Sequence, residues 1–340
     1  MSAPAFSPPV SVAVVVVSYD NVTTLSDCLD SVLAADSPSL RVELVVVDNS
    51  SRDGSAALVA ERYPEARLIQ TGENAGFARA CNVGAEASTS EFVLLLNPDA
   101  VLRPGALASL VTFAVAHPEH GLYGGRVVEP DGSNDPTSCW GDMTIRSQLC
   151  FATGLSTAFA RHPVLDPESL GTWARDSVRE VPVITGCLLL TRRETWADLR
   201  GMDETFWLYG EDSDFSLRAR AVGLRPVVVP EAELLHTKGG SSPGGTKMPL
   251  VMAGKITLMQ RRWRRPARIA GRVLLLSGVG LRALAGRLSG RRDTVWTGVW
   301  STRAQWGRGY PAAKELVGLP PTAPAPVLPS GAIDETRSDS

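Results

Sequence analysis

The segment YGEDSDFSLRA, residues 209 to 219, places three carboxylates within four consecutive positions, at Glu211, Asp212 and Asp214. Acidic residues in the first turn of a helix are stabilised by its partial positive charge, which accounts for Asp212 or Asp214. It does not account for an adjacent acidic pair among aromatic residues. Apolar surroundings and a neighbouring like charge raise a carboxyl pKa towards that of a general base. The segment therefore has two interpretations, an acidic helix start and a catalytic base.

Polar residues follow three predicted strands, always at the same end. The apolar runs VAVVVV (12 to 17), VELVVV (42 to 47) and FVLLL (92 to 96) are typical of parallel strands buried on both faces. The residues that follow them are Ser18, Tyr19, Asp48, Asn49, Asn97 and Asp99. Because the carboxyl ends of parallel strands share the edge where nucleotides bind, we expect these side chains to meet there.

Asp48 and Asp99 each have an alternative interpretation. Asp48 could accept hydrogen bonds from a base or ribose, or it could close an Asx turn in DNSSRDG. Asp99 could bind a divalent cation, or it could belong to a β-turn with Pro98. The chain contains neither GxGxxG after its first strand nor a GxxxxGK[ST] loop, so a bound diphosphate would need a hard cation held by carboxylates.

Helical periodicity separates the predicted strands and so favours βαβ units. Apolar residues recur at helical spacing in TTLSDCLDSVLAA, and helices are also predicted after NSSRDG and after GENAGF. VPVITGCLLLTRR (181 to 193) predicts a buried strand whose glycine indicates a close backbone approach or a bulge, and DSDFSLRARAVG predicts a helix that ends at Gly223. Residues 130 to 178 show no clear periodicity. The sequence thus predicts an α/β class whose N-terminal third resembles a doubly wound nucleotide-binding half.

Composition indicates a globular protein, with 44% hydrophobic residues among 340 and a formal net charge of −2. Five cysteines without a CxxC pair predict neither a zinc site nor a disulfide framework. The first apolar run has six residues and no preceding basic residue, which predicts a buried strand and not a signal peptide. We therefore expect a cytoplasmic protein.

The region from Lys255 to Arg308 is strongly basic and contains one acidic residue, Asp293. Its longest uncharged apolar stretch, 273 to 281, is shorter than the ~20 residues that span a bilayer. A basic amphipathic segment in an anionic membrane interface is favoured, with ordinary helices packed on the rest of the chain as the alternative. No nucleic-acid-binding module accompanies the charge, so no nucleic acid partner is expected.

Seven segments occur in an order that resembles a known family: VVVVSY, VVVDNSSRDGS, GENAGFARACNVG, LLLNPDA, TGCLLLTRR, DETFWLYGEDSDFSLRA and HTKGGSS. Together they resemble the family 2 inverting glycosyltransferases of the GT-A fold, especially the bacterial rhamnosyltransferase-like branch. The resemblance covers roughly residues 11 to 245. It implies an α/β GT-A fold with a mostly parallel, Rossmann-like central sheet flanked by helices.

The resemblance also implies roles for single residues. Asp212 would be the general base and Glu211 its partner, while Asp99 and His236 would bind a divalent metal, Mg²⁺ or Mn²⁺. Asn97 replaces the first acid of the family's usual DxD motif, and a structural role for His236 is the alternative. The implied donor-binding residues are Ser18, Tyr19, Asp48, Asn49, Ser51, Arg52, Asn74, Gly76, Phe77, Arg79, Asn82, Asn97 and Lys238. The implied acceptor-binding residues are Trp140, Gly186, Cys187 and Trp207, with simple burial as an equal alternative for the two tryptophans.

The predicted domains are a flexible N-terminus (1 to 10), a GT-A domain (11 to 250), a basic helical appendage (251 to 317) and a disordered tail (318 to 340). Within the GT-A domain, residues 11 to about 100 would bind nucleotide and residues 101 to 250 the acceptor. The implied donor is dTDP-rhamnose and the acceptor a polyprenyl-diphosphate-linked glycan at the inner face of the membrane, bound peripherally. A UDP-hexose donor, a noncatalytic nucleotide-sugar binder and a homo-oligomer stay open.

Overall fold

A computed structural model describes residues 9–129, 131–236, 246–290 and 294–319. The strands are β1 Val10–Ser18, β2 Leu40–Asp48, β3 Arg67–Gln70, β4 Phe92–Leu96, β5 Ala100–Leu102, β6 Leu122–Val128, β7 Asn134–Asp135, β8 Cys139–Trp140, β9 Arg179–Glu180, β10 Val183–Ile184, β11 Leu188–Arg192 and β12 Val227–His236. The helices are α1 Val22–Leu33, α2 Ser55–Arg62, α3 Phe77–Glu86, α4 Ala106–Ala116, α5 Ile145–Thr153, α6 Leu155–Ala158, α7 Arg193–Asp198, α8 Glu211–Ala221, α9 Lys247–Arg262, α10 Arg265–Leu288, α11 Val295–Ser301 and α12 Arg303–Trp306.

The central sheet has the strand order β3-β2-β1-β4-β11-β6-β12-β5, with β7 paired to β6 and β9 paired to β12. Strands β3, β2, β1 and β4 run parallel to one another, as do β6 and β12. β11 is antiparallel to its neighbours β4 and β6, and β5 is antiparallel to β12. The predicted α/β fold, with its mostly parallel central sheet flanked by helices, is confirmed.

Both faces of the sheet are buried, which explains the continuous apolar runs in the sequence. Val12, Val14 and Val16 of β1 belong to one core cluster, together with apolar residues of α1 and α4. Val15 and Val17 point to the opposite face and pack with residues of α3 and α8. This alternation follows from the period of two in a strand.

The predicted strand from 181 to 193 is interrupted at its glycine. The chain leaves the strand path at residues 185 to 187, so that β10 pairs with β8 in a separate two-stranded sheet while β11 enters the central sheet. The physical reason is a polar contact, since the backbone N–H of Gly186 donates to Oδ2 of Asp212 at 3.3 Å. A glycine inside an apolar strand pattern was the sequence signal for such a break.

The region from 130 to 178 contains a helix that its sequence pattern did not predict. Helix α5 begins with a capping box in which the Thr144 side chain accepts from the backbone N–H of Ser147 and the Ser147 side chain accepts from that of Thr144. The buried face of this helix includes Gln148, so its apolar period is interrupted.

The C-terminal helices pack on the rest of the protein. A third core cluster joins Phe206 and Trp207 to residues of α9, α10 and α11, and the predicted domain boundary at residue 250 falls inside α9. Within the described residues, α10 has the length and composition of a helix that could cross a membrane, and 28% of that stretch is buried in the protein. Lys238, residues 1 to 8 and residues 320 to 340 lie outside the described residues.

Candidate active site

The carboxyl ends of β1 and β2 bring Ser18 and Asp48 side by side, because the two residues are partners in the parallel register. Oδ2 of Asp48 accepts a 3.1 Å hydrogen bond from the backbone N–H of Ser51, so the turn interpretation applies to that oxygen. Oδ1 of Asp48 and Oγ of Ser18 are buried without a hydrogen-bond partner among the described residues. Such an atom costs about 1–3 kcal/mol. These two atoms are therefore candidates for contact with a ligand.

Two asparagines connect the loop after β2 to the loop before α3. Nδ2 of Asn49 donates to Oδ1 of Asn74 at 3.0 Å, and Oδ1 of Asn49 accepts from the backbone N–H of Ala75 at 2.9 Å. Gly76 has φ +86°, and a Cβ atom there would lie 2.5 Å from the Trp207 side chain. The sequence predicted Asn49, Asn74 and Gly76 as donor-binding residues. In the structure their contacts hold together the loop after β2, the loop before α3 and Trp207.

Asp99 and His236 meet at this same edge. The antiparallel pairing of β5 with β12 sets His236 opposite Ala100, which places the imidazole Nε2 3.1 Å from Oδ1 of Asp99. The hydrogen bond to Asp99 raises the pKa of His236, and burial opposes this rise. The sequence placed these two residues together from the family resemblance, and they are in contact although 137 positions separate them.

The donor set at Asp99 and His236 fits a divalent cation that takes its remaining ligands from elsewhere. The part of the chain that the structure describes holds no group of three or more His, Cys, Asp or Glu side chains arranged for a metal. One carboxylate oxygen and one imidazole nitrogen are a sparse set, as is usual for a cation that also coordinates substrate phosphates and water. The nitrogen ligand makes Mn²⁺ as suitable as Mg²⁺.

Glu211 and Asp212 begin α8, after Gly210 with φ +106°. The Glu211 side chain is buried, and its Oε2 has no hydrogen-bond partner among the described residues. Burial raises the pKa of Glu211 well above its usual range, and the charge of Asp212 adds to the effect. A carboxyl group in this environment is protonated more readily than an exposed one.

Asp212 is only partly buried and is held by backbone donors. Its Oδ1 accepts from the backbone N–H of Ser213 at 2.6 Å, and its Oδ2 accepts from that of Gly186 at 3.3 Å. Burial raises the pKa of Asp212, while these two hydrogen bonds lower it. A fixed carboxylate with a moderately raised pKa has the properties of a general base.

The break between β10 and β11 connects this carboxylate to the Asp99 loop. The backbone N–H of Asn97 donates to the carbonyl oxygen of Cys187 at 3.2 Å, and Gly186 beside it binds Asp212. Burial raises the pKa of Cys187 to about 12, and the charge of Asp212 contributes to that rise. The Asp99 loop is therefore connected to Asp212 in α8 through residues 185 to 187, which bond to both.

Some predicted site residues lie elsewhere or are already engaged. Asn82 bonds to the backbone of Met202 through both side-chain atoms. Arg79 is exposed and pairs with Glu73 at 3.4 Å. The exposed residue Arg52 donates its backbone N–H to Asp20, as Tyr19 does to Asn21.

Two of the four predicted acceptor residues lie beside Asp212, and the other two are the tryptophans. Gly186 and Cys187 lie beside Asp212, and the Phe77 ring lies 3.1 Å from where a Cβ atom of Gly186 would be. Trp140 is 36% exposed, whereas Trp207 is 7% exposed and its indole donates to the carbonyl oxygen of Asn74. Of the two interpretations left open for the tryptophans, burial describes Trp207.

Sequence reasoning missed Asp135, whose charge acts on His236 and Cys187. Asp135 is buried, and its negative charge raises the pKa of both His236 and Cys187. It lies in the region that lacked periodicity, so no strand end or motif marked it. The strand pairing of β7 with β6 brings it to the edge.

Two family models match this chain: "Glycosyl transferase family 2" over residues 13–160 and "N-terminal domain of galactosyltransferase" over residues 176–238. The N-acetylglucosaminyl-diphospho-decaprenol L-rhamnosyltransferase of Mycobacterium tuberculosis is 31% identical over 280 residues, covering 75% of this chain and 87% of that protein. The chain belongs to glycosyl transferase family 2. This family 2 glycosyltransferase is also 30% identical over 234 residues to the O-antigen biosynthesis protein RfbC of Myxococcus xanthus, over 68% of this chain and 17% of RfbC.

Comparison with solved structures supports the fold of this family 2 glycosyltransferase. The mannosyltransferase PcManGT of Pyrobaculum calidifontis, solved with GDP-Man and Mn²⁺, superposes with a TM-score of 0.52 at 20% identity. The match covers 90% of this chain and 83% of PcManGT. The predicted GT-A architecture is therefore confirmed, as is the predicted membership of an enzyme family that transfers sugars.

Proposed function

We propose that this enzyme transfers rhamnose from dTDP-rhamnose, with inversion, to a hydroxyl group of a polyprenyl-diphosphate-linked glycan. The observation that carries the proposal is the connection between Asp99 and Asp212: the loop of Asp99, which binds His236, bonds through Asn97 to Cys187, and the adjacent Gly186 bonds to Asp212 in α8. A diphosphate group bound at Asp99 and an acceptor hydroxyl bound at Asp212 would therefore lie near each other. The choice of sugar and acceptor is supported by the name of the mycobacterial relative.

In this mechanism the acceptor hydroxyl attacks the anomeric carbon as the bond to the nucleoside diphosphate breaks. Asp212 removes the hydroxyl proton, which requires a carboxylate within hydrogen-bond reach. The backbone N–H groups of Gly186 and Ser213 keep that carboxylate in one orientation, so little reorganisation is needed during the reaction.

Asp99 and His236 would hold a divalent cation in this proposal. Such a cation stabilises the negative charge that develops on the leaving diphosphate. Oδ1 of Asp48 and Oγ of Ser18 would bind the base or ribose of the donor. This would give a partner to two buried atoms that have none among the described residues.

A thermal-shift screen of nucleotide sugars with Mg²⁺ or Mn²⁺ tests the donor assignment. A ligand present at 100 times its Kd stabilises the folded state by about 2.7 kcal/mol, so the correct donor raises the melting temperature clearly. We expect dTDP-rhamnose with a divalent cation to give the largest rise. We also expect Asp99→Ala to remove most of that rise, because it removes the one carboxylate of the proposed cation site.

The matched control is Glu231→Ala, which removes an exposed carboxylate from the same strand as His236. It should keep the full response to donor and cation. A larger rise in melting temperature with a UDP-hexose than with dTDP-rhamnose would show that the UDP-hexose is the donor. No shift and no transfer with any nucleotide sugar would refute the proposed activity.

We further propose that the α10 face binds the cytoplasmic side of an anionic membrane, where a lipid-linked acceptor would be located. Helix α10 contains no acidic residue. Its exposed apolar side chains are Ile269, Val273, Leu281, Leu284 and Leu288, each more than half exposed. Arg265, Arg268 and Arg272 flank the first two of these and form no ion pair with another described residue. Exposed apolar residues with flanking arginines suit the interface of an anionic bilayer.

Not every arginine of the basic region belongs to this face. Arg261 and Arg262 form ion pairs with Asp203 and Asp214, and Arg282 donates to the carbonyl oxygen of Phe151. The sequence grouped all these arginines together as a membrane-binding set. Arg261, Arg262 and Arg282 are therefore not included in the membrane-binding face that we propose.

Replacing Arg265, Arg268 and Arg272 by Gln should lower co-sedimentation with phosphatidylglycerol vesicles at least tenfold, since each basic residue contributes about 1 kcal/mol near such a surface. Binding to phosphatidylcholine vesicles should be weak for both proteins. Arg41, Arg67 and Arg103 are exposed elsewhere, so their replacement by Gln serves as the control of equal charge. Equal loss with both triple variants, or resistance of the bound protein to alkaline carbonate, would contradict peripheral binding through α10.

A further inference from the structure

The loop that leads into α8 is held from two sides. We define the acid loop as residues 202 to 210, directly before Glu211 and Asp212. On one side it contacts α3: the carbonyl oxygen of Trp207 accepts from the backbone N–H of Phe77 at 2.7 Å, and Asn82 binds both backbone groups of Met202. This side belongs to the nucleotide-binding half of the fold.

The other side of the acid loop contacts α9. Gly254 lies in the middle of that helix, and a Cβ atom there would overlap the carbonyl oxygen of Tyr209 and lie 2.9 Å from its carbonyl carbon. Tyr209 has φ +66°, a left-handed conformation that a bulky residue adopts only when its surroundings enforce it. The helix backbone is thus packed directly on the residue that turns the chain into α8.

Two arginines at the end of α9 bind acids on either side of this turn. Arg261 pairs with Asp203 at 3.2 Å, within the acid loop. Nε of Arg262 donates to Oδ1 of Asp214 at 2.9 Å, in the first turn of α8. The Asp214 side chain is fully buried and also accepts from Arg218 at 2.8 Å.

Tyr310, far along the chain, completes the same enclosure. Its hydroxyl group donates to the carbonyl oxygen of Leu208, and its ring meets Phe206 edge-on with centroids 6.4 Å apart. The backbone N–H of Tyr310 donates to Oγ1 of Thr257 in α9 at 2.8 Å. The acid loop is therefore held between α3 and a C-terminal unit formed by α9 and Tyr310.

The buried ion pairs of Arg261 and Arg262 fix the relative positions of α9, the acid loop and α8. This effect is separate from any contribution to the free energy of unfolding. Replacing buried ion pairs by apolar side chains of similar volume is often neutral or stabilising, so their presence is weak evidence for a role in stability. Guanidinium groups bind carboxylates with fixed planar geometry, and this fixes the position of α8 relative to α9. A displacement of about 1 Å at a catalytic group can cost a hundredfold in rate.

We propose that α9 and Tyr310 position the catalytic base, Asp212. They keep its carboxylate at the 3.3 Å hydrogen-bond distance from the backbone N–H of Gly186 that the reaction needs. The inference rests on the proposed role of Asp212. Both ranges matched by the family models end before α9, so neither assigns this role.

Gly254→Ala is the sharpest test, because it adds one methyl group against the carbonyl of Tyr209. Alanine favours a helix interior over glycine, so helix propensity alone would make the variant more stable. We expect kcat for sugar transfer to fall about 10- to 100-fold, with the donor KM nearly unchanged. The melting temperature should also fall, because the added methyl group must displace the backbone of Tyr209 or of α9. Gly298→Ala in α11 is the matched control, since a Cβ atom there meets nothing within 4 Å, and it should keep full activity.

Arg262→Lys provides a second variant in case Gly254→Ala does not fold. It keeps the charge opposite Asp214 and loses the planar fork, so kcat should fall by about tenfold with little change in the donor KM. Hydrogen–deuterium exchange of residues 202 to 212 adds a readout that needs no activity, and both variants should exchange faster there than wild type.

The outcomes separate this inference from the proposed activity. If wild type transfers sugar and both variants match it, or if the donor KM rises as much as kcat falls, the positioning role is wrong. If wild type transfers no sugar from any donor, the proposed activity fails and the exchange data decide alone. Faster exchange confined to residues 202 to 212 would then support the positioning role, and unchanged exchange would overturn it.

Discussion

Asp212→Asn is expected to lower kcat for sugar transfer by about 10²- to 10⁴-fold, the usual contribution of a general base. The amide keeps the size of the side chain, but its single oxygen can accept from only one of the two backbone donors, Gly186 or Ser213, and it cannot remove the proton of the acceptor hydroxyl. Donor binding should change little, because Asp48 and Asp99 are untouched. Release of nucleoside diphosphate in the presence of acceptor measures the effect.

Asp176→Asn is the matched control, since Asp176 is exposed on the surface. Its rate should equal that of wild type. If Asp212→Asn also released nucleoside diphosphate at the wild-type rate, another group would be the base. A loss of activity accompanied by a lower melting temperature would instead indicate a structural role for Asp212.

Glu211→Gln should make the free energy of unfolding less dependent on pH. Burial and the charge of Asp212 raise the pKa of Glu211 in the folded protein, so the unfolded chain releases this proton at a lower pH than the folded protein does. Between those two pKa values stability falls as pH rises, because the folded state binds more protons. The effect is absent below the ordinary pKa of a glutamate. By pH 8 the variant should therefore be more stable than wild type.

Urea unfolding at pH 5 and at pH 8 measures this difference. The two proteins should differ less at pH 5, where the wild-type loss has only begun. Glu231→Gln removes an exposed carboxylate and should leave the pH dependence of wild type unaltered. Parallel curves for wild type and Glu211→Gln would show that Glu211 is ionised in the folded protein.

The strands and the polar residues at their carboxyl ends were predictable, because both follow from residues close together in the sequence. VAVVVV, VELVVV and FVLLL became β1, β2 and β4 with nearly the predicted bounds, since a run buried on both faces needs apolar residues at every position. The helix beginning near Glu211 was also predicted. The glycine in the strand from 181 to 193 predicted a bulge or a close backbone approach, but its partner Asp212, 26 positions away, could not be predicted.

The role of α9 could not be read from its composition. Its arginines resemble the solvated or membrane-facing arginines of α10, and only their partners distinguish them. Asp203 and Asp214 are 58 and 48 positions away from the arginines that bind them. Gly254 carries no sequence signal that separates a close backbone contact from an ordinary helical glycine.

The sequence by itself determined the α/β architecture, the family and the acidic pair, because buried strands, turns and charged helix starts are written in residues close together along the chain. Tertiary structure alone decided that Gly186 binds Asp212, that the charge of Asp135 acts on His236 and Cys187, and that α9 packs on the acid loop. These contacts join residues far apart in sequence, and each depends on packing that brings polar groups into a buried place where they must find partners.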